Sequence, residues 1–257
     1  MKDITIIVPV LAHENDEKFD ALNKDSFESV KKVSGEDGKV ILVGAKEALE
    51  RYEDAKNIKK VVNDGSTDFA TQVNLGVAEC KTKFFTVVEE DDIVSDKWFD
   101  IFKEYEPFYS DVAAFLPLTE LYDYNNLDKG AFGYANEVVW AASFSQEIGY
   151  IDLDCLKNFM EFNLTGTIFG KKEFVACGGL KPSMKLTYWY EFLMRFVNNN
   201  NKAFVIPKVG YLHILNRPGS VSDTYNKTLK PEEAEWWIDL AQKEYLYKKD
   251  RNKTYEE

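Results

Sequence analysis

The chain has 257 residues, 45% hydrophobic and 14% aromatic, enough to bury one large core, and its five Trp, 14 Tyr and 18 Phe argue against disorder. A formal net charge of −12 would repel nucleic acid and anionic membrane, and no long Lys/Arg run offers a local basic patch, so small-molecule or carbohydrate partners fit better. Three scattered cysteines, Cys80, Cys155 and Cys177, lack metal-ligand spacing and read as reduced, mostly buried thiols of a cytoplasmic protein.

The opening run ITIIVPVLA is short, contains Pro9 and leads into HENDE, which makes it a buried first strand rather than a signal peptide. Further β-branched runs, KVILVG (39–44), IKKVV and KFFTVVE (83–89), alternate with helical patterns over Asp16 to Val33, Lys46 to Ala55 and Phe69 to Cys80. That alternation predicts an α/β domain with a largely parallel sheet. In such sheets ligands lie beyond the carboxyl ends of the strands, where His13, Glu14, Gly44, Ala45, Asn63, Asp64 and the acids after KFFTVV should converge. A helix from Ser95 to Tyr105 and a strand, VAAFLPL (112–118), precede an irregular Tyr/Asn/Asp/Gly-rich stretch from Leu121 to Tyr150, the kind of long loop that forms lids or binding surfaces. Then come GTIFG, a short helix over Lys171 to Ala176, the Gly178-Gly179 turn, an apolar helix in TYWYEFLMRFVNN, strands AFVIP and YLHIL, and a helix starting at Pro231. The polar tail should fray, and no segment is long enough to span a bilayer.

Glu89, Glu90, Asp91 and Asp92 place four carboxylates in succession at a strand end. Two carboxylates about 4 Å apart repel by about 1 kcal/mol in water and by several times that where the dielectric is lower. A divalent cation, Mg²⁺ or Mn²⁺, would offset that repulsion, since hard oxygen ligands bind such ions together with substrate phosphates. The alternative is a solvated acidic turn in which Asp92, Ser95 and Asp96 favour the start of the next helix.

The order of these motifs resembles the family 2 glycosyltransferases of the GT-A nucleotide-sugar-binding fold, from Ile4 to about Ser222. The strand ending in Pro9-Val10 looks like the family's first strand, NLGVAECKTKFFTVVEEDD like its passage into the metal motif, and FNLTGTIFGKKEFVACGGL like the approach to the acceptor and base region. YLHILNRPGSVS resembles the late His segment. The resemblance implies a Rossmann-type three-layer α/β sandwich with a mostly parallel central sheet over residues 1–230, and residues 231–257 form a helix and tail packed on it. It also implies an inverting transfer of sugar from a nucleotide-sugar donor to a carbohydrate or other hydroxyl acceptor, assisted by a divalent cation.

On that resemblance Asp91 becomes the metal and diphosphate residue, with Glu89 and Glu90 beside the donor and Glu89 a candidate ribose contact. His213 is a second candidate metal ligand, since neutral imidazole can join a divalent cation, or else a structural His. Pro9, Val10 and Glu14 border the donor, and spacing from Pro9 puts Gly44 and Ala45 at the nucleotide base. NDGSTD (63–68) then supplies Asn63, with Asn74 on the following helix; it is equally readable as an Asx/Gly turn capping that helix. Gly179, Tyr188, Trp189 and Arg217 fall in the acceptor region. The family's Glu-Asp pair is replaced by Tyr188 and Trp189, which leaves Glu191 as the candidate base or, alternatively, as an i,i+4 partner of Arg195. Two other classes remain: a catalytically silent sugar- or nucleotide-binding module, and a nucleotidyltransferase on a similar core, although no Gly-rich phosphate loop follows the first strand.

Overall fold

The computed structural model describes residues 3–11, 16–63, 68–141 and 147–247. The first half is built as alternating strands and helices: β1 (Ile4–Val10), α1 (Glu17–Ser34), β2 (Lys39–Gly44), α2 (Lys46–Leu49), β3 (Ile58–Val62), α3 (Phe69–Glu79) and β4 (Phe84–Val87). A short β5 (Ile93–Val94) leads into α4 (Trp98–Tyr105) and the long β6 (Val112–Asp123). Then follow β7 (Gly133–Ala135), α5 (Val138–Ala141), β8 (Tyr150–Ile151), α6 (Leu153–Asn158), β9 (Ile168–Gly170), α7 (Lys171–Ala176) and α8 (Tyr188–Asn198). The chain closes with β10 (Lys202–Leu215), α9 (Val221–Thr228) and α10 (Pro231–Tyr245).

The strands form one sheet in the order β3-β2-β1-β4-β9-β6-β10-β5, with β7 on β6 and β8 on β10. β1 to β4 are mutually parallel, β9 runs against both β4 and β6, and β10 runs with β6. The six longest strands therefore share one direction, and their carboxyl ends share one edge.

Every residue of β1 is buried, as a strand covered on both faces must be. Its side chains alternate between two cores. Ile4, Ile6 and Val8 meet Val30 and Val33 of α1 and Trp98, Phe99 and Phe102 of α4. Ile7 faces Val73 and Val77 of α3, Phe192 and Phe196 of α8, and Ala241 of α10. This is the helix–sheet–helix layering expected of alternating β and α segments. α3 lies close on the sheet because residue 76 is glycine: a Cβ there would stand 2.4 Å from Ile7 Cγ2.

Several boundaries depart from the periodicity. The helix expected over Lys46 to Ala55 stops at Leu49. VAAFLPL continues to Asp123, paired along its length with β10, so the irregular region starts later than its composition suggests. AFVIP and YLHIL are one strand of 14 residues, whose register shifts between Val205 and Tyr211 let Pro207 and Gly210 sit inside it. α4 begins at Trp98 after the short β5, later than Ser95. α9 carries no periodic apolar signal and has no buried residue. No helix among the described residues is long and apolar enough to cross a membrane.

Candidate functional site

At the carboxyl edge of the sheet a cleft of about 920 Å³ is lined by Pro9, Phe69, Glu89, Tyr188, His213 and Arg217, among others. The acidic run leaves β4 directly into it. α1 holds the backbone of that run: Ser26 Oγ donates to the Glu89 carbonyl and Asn23 Nδ2 to the Glu90 carbonyl, each at 3.0 Å. The Glu89 N–H donates to Tyr211 Oη at 3.0 Å. With the backbone fixed this way, the carboxylates are turned inward. Glu90, Asp91 and Asp92 are only 3%, 5% and 0% exposed, which excludes a solvated helix-capping turn.

Each acid meets a different environment. Glu90 accepts from the Leu11 N–H at 3.1 Å and from Arg51 at 3.4 Å. Asp91 is ion-paired with Arg217, whose Nε donates to its Oδ2. Asp92 ties the last strand to the cluster, accepting the Ile214 N–H at 2.8 Å on one oxygen and meeting His213 Nδ1 at 2.8 Å on the other. The Glu89 carboxylate accepts no hydrogen bond from a described residue. Burial, followed by the charges of Asp92 and Asp91, pushes Glu89 up to about 8. Burial likewise lifts Glu90 to about 8 against the pull of Arg51. Asp91 is raised by burial and by Asp92, with Arg217 opposing. Burial alone would lower His213, but Asp92 outweighs it and the imidazole is held at about 9.

Glu89, Asp92 and His213 offer ligand atoms that all lie within 4.8 Å of one another. The donor chemistry fits a divalent cation. Asp92 engages Nδ1 of His213, the carboxylate–imidazole arrangement that orients a ligating His and leaves Nε2 for a metal, while Glu89 presents an unpartnered carboxylate. A mixed oxygen and imidazole set suits Mn²⁺ better than Mg²⁺.

The opposite wall is aromatic. Tyr188 stacks on Phe69 with centroids 5.3 Å apart, and Trp189 lies parallel to Phe169 at 5.9 Å. Beside them Asn136, buried and at φ 72°, donates to the Pro117 and Asn163 carbonyls and accepts the Asn163 N–H, which joins β7 to the segment before β9. Glu137 and Glu161 line the cleft on either side of this junction. No local pattern in the sequence announces Asn136 as a fixed point, because its three partners are 19 and 27 residues away.

Of the residues singled out from the sequence, the cleft lining brings together Pro9, Glu89, Glu90, Asp91, Tyr188, Trp189, His213 and Arg217. Arg217, expected on the acceptor side, sits on the acidic cluster instead. Val10, Gly44, Ala45, Asn63, Asn74, Gly179 and Glu191 are not among the lining residues. Val10 and Gly44 are register partners at the ends of β1 and β2, Ala45 caps α2, and the Asn63 N–H donates to the Gly44 carbonyl at 2.8 Å. Asn74 is spent on both backbone groups of Leu180, at 2.7 and 2.9 Å. Gly179, at φ 67°, lies against it, and a Cβ there would stand 2.5 Å from Asn74 Oδ1. Glu14, His13 and the Asp64–Thr67 part of NDGSTD lie outside the described residues; Asp68 caps α3 through the Thr71 N–H, as an Asx turn would.

Glu191 forms the i,i+4 pair with Arg195. It is 1% exposed and forms a two-point pair with Arg195, at 2.8 Å on each oxygen. Lys181 at 2.7 Å and the Tyr245 hydroxyl at 2.9 Å complete its shell. Burial alone would raise its carboxyl, but Arg195 and Lys181 hold it below the usual range. A carboxylate with this many donors is a poor proton acceptor.

No protein-family model matches the chain, and no curated protein matches it by sequence. Solved structures do. S. aureus TarS 1–349 in complex with UDP-GlcNAc superposes with a TM-score of 0.68 at 15% identity, covering 93% of this chain and 65% of that one. The same TarS fragment with UDP gives 0.60 at 14%, covering 87% and 62%. The mannosyltransferase PcManGT from Pyrobaculum calidifontis, in complex with GDP-Man and Mn²⁺, gives 0.61 at 12%, covering 84% and 58%. The chain thus spans less than two thirds of the length of these neighbours. At such identities the likeness is one of fold, and the fold is the GT-A-like α/β sandwich that the order of sequence motifs leads one to expect.

Proposed function

We propose that this protein transfers a sugar from a nucleotide-sugar donor to an acceptor hydroxyl, with inversion and with the help of a divalent cation, in the reducing compartment that three unpaired buried thiols suit. The observation that carries this reading is the surplus of buried carboxylates beside His213 and Arg217, at the strand edge where a GT-A-like fold holds its donor. That the structural neighbours bind UDP-GlcNAc and GDP-Man supports a nucleotide-sugar donor.

Glu89 and His213, with Asp92 behind the imidazole and Asp91 next to them, would hold the cation. When bound it would stabilise the negative charge that develops on the departing diphosphate. Arg217 adds a second positive group at the same place, aimed where charge grows. Tyr188, Trp189 and Phe69 form the wall against which an acceptor ring can stack, and they keep water from the reacting carbon. Proton acceptance from the acceptor hydroxyl falls to a carboxylate facing the cleft from the acceptor wall. Glu137 and Glu161 line the cleft and are the candidates for that role, whereas Glu191 does not line it.

A second reading is favoured by one specific observation. Tyr188 and Trp189 occupy the places of the resembling family's acid pair, so the fold can serve as a silent nucleotide-sugar binder. Calorimetry with UDP-GlcNAc and GDP-Man in Mn²⁺, followed by assay of nucleoside diphosphate release, separates the two. Metal-dependent binding with release in the presence of saccharide acceptors is the expected result. Binding that never leads to release supports the binder, and absence of binding to any nucleotide sugar sinks both.

A further inference from the structure

Arg217 lies on the loop between β10 and α9, 5% exposed, with its guanidinium 4.5 Å from the Phe19 ring centroid. Its Nε is committed to Asp91. Beyond that, Nη1 has only a contact of 3.5 Å to the Pro218 carbonyl, and Nη2 has no hydrogen-bond partner among the described residues. A buried guanidinium carries five donors, and this one uses few of them while lining the cleft. The same group attenuates the mutual repulsion of Glu89, Glu90 and Asp91, being a source of positive potential for all three. In charge and position it does what a metal ion would do there.

We propose that Arg217 is the resident cation of the acidic cluster, competing by charge with a divalent metal held at Glu89, Asp92 and His213, and that it gives up Asp91 when a metal and a diphosphate arrive together. The inference rests on the nucleotide-sugar reading for the diphosphate, but the competition between the two cations does not. Coulomb repulsion scales with the product of the charges, so a doubly charged ion entering beside an unmoved guanidinium is strongly disfavoured. A metal alone must therefore displace Arg217 and leave it unpaired in a buried place. A diphosphate changes the balance because it offers the planar guanidinium of Arg217 a two-point anionic partner in the cleft. Metal and nucleotide then strengthen each other, each by the same factor. Phe19 provides a ring face over which the guanidinium can turn while staying desolvated.

The test is calorimetry on the full chain with Mn²⁺ alone, with UDP or GDP alone, and with both, for the wild type, Arg217→Gln and Arg217→Lys. Arg217→Gln should bind Mn²⁺ alone at least about tenfold more tightly than the wild type, a gain of about 1.4 kcal/mol, and should lose about as much in nucleotide affinity. Arg217→Lys keeps the charge and should bind Mn²⁺ alone as weakly as the wild type. Unchanged or weaker Mn²⁺ affinity in a folded Arg217→Gln variant overturns the proposal, as does an Arg217→Lys variant that matches Arg217→Gln. Should the Gln variant fail to fold, the Arg217 Nε–H resonance of the wild type decides: it should shift with Mg²⁺ plus UDP or GDP and hold its place with Mg²⁺ at the same concentration alone. A shift with metal alone counts against the gate. If the wild type binds no nucleoside diphosphate while Arg217→Gln still gains in Mn²⁺ affinity, the competition stands and the nucleotide-sugar reading falls.

Discussion

Two groups of buried acids in this molecule behave in opposite ways. Around Glu89 to Asp92, four carboxylates share Arg217, His213 and Arg51, and Glu89 is left without a partner. Around Glu191, one carboxylate is met by Arg195, Lys181 and Tyr245. The first group is short of positive charge, and Glu89, Glu90 and Asp91 hold their protons more tightly than free carboxyls; the second is saturated, and Glu191 gives its proton up readily. Surplus negative charge at an open strand edge favours the approach of a cation. A fully satisfied acid between two helices is scaffold, and the scaffold has a definite task. Arg195, held by Glu191, also donates to the Cys177 and Gly179 carbonyls, which pins the double-glycine turn. Tyr245 brings α10 into the same network.

The largest expected effect breaks the saturated group. Glu191→Gln leaves Arg195 and Lys181 without their counter-charge in a buried place, and removing one partner of a buried pair costs about 3 kcal/mol or more. Urea unfolding should show that loss, with nucleotide affinity in Mn²⁺ unchanged. A variant that keeps its stability but loses transfer would make Glu191 a base after all.

Next in size is pH, where the two groups carry opposite signs. Glu89 and Glu90 have native pKa values lifted from 4.5 to about 8, so between those limits the native state binds more protons than the unfolded chain and stability falls as pH rises. His213, raised from 6.5 to about 9, gives stability that is complete below 6.5 and lost as pH climbs through 9. All three shifts predict a decline in stability from about pH 5 to 9 in metal-free protein. Glu191, held below 4.5, contributes stability that is present above that value and lost as pH falls through its native pKa. Thermal unfolding across pH 3 to 9 should therefore be bounded on the acid side by Glu191 and on the alkaline side by the cluster. Glu191→Gln should flatten only the acid limb. A curve that rises steadily to pH 9 would contradict the burial of the cluster.

The smallest effect sharpens the role of α10. Tyr245→Phe removes one hydrogen bond to Glu191 and one from Lys181, a loss of about 1 kcal/mol. Calorimetry should give unaltered donor affinity, because neither Tyr245 nor Glu191 lines the cleft. A change in donor affinity larger than the change in stability would tie α10 to the site itself.

Local pattern was enough for much of this. The all-apolar β1, the acids placed straight after β4 and the i,i+4 spacing of Glu191 and Arg195 are short-range facts, and strand direction follows from the helices that must intervene between parallel strands. The pattern favours Glu191 as the base, an acid in an otherwise aromatic and aliphatic helix, over a plain pairing with Arg195. Its actual surroundings depend on Lys181 and on Tyr245, 54 residues away. The pairing of Asp91 with Arg217, 126 residues apart, and of Asp92 with the Ile214 N–H, 122 apart, arises only because β5, directly after the acids, pairs antiparallel with β10. Sequence by itself determined where carboxylates are concentrated and which segments are strands, because burial period and charge are written residue by residue. Only the tertiary structure decided which of those charges are compensated, because the compensating cations come from elements that meet across the sheet edge, and ionic energies depend on distance and desolvation rather than on position along the chain.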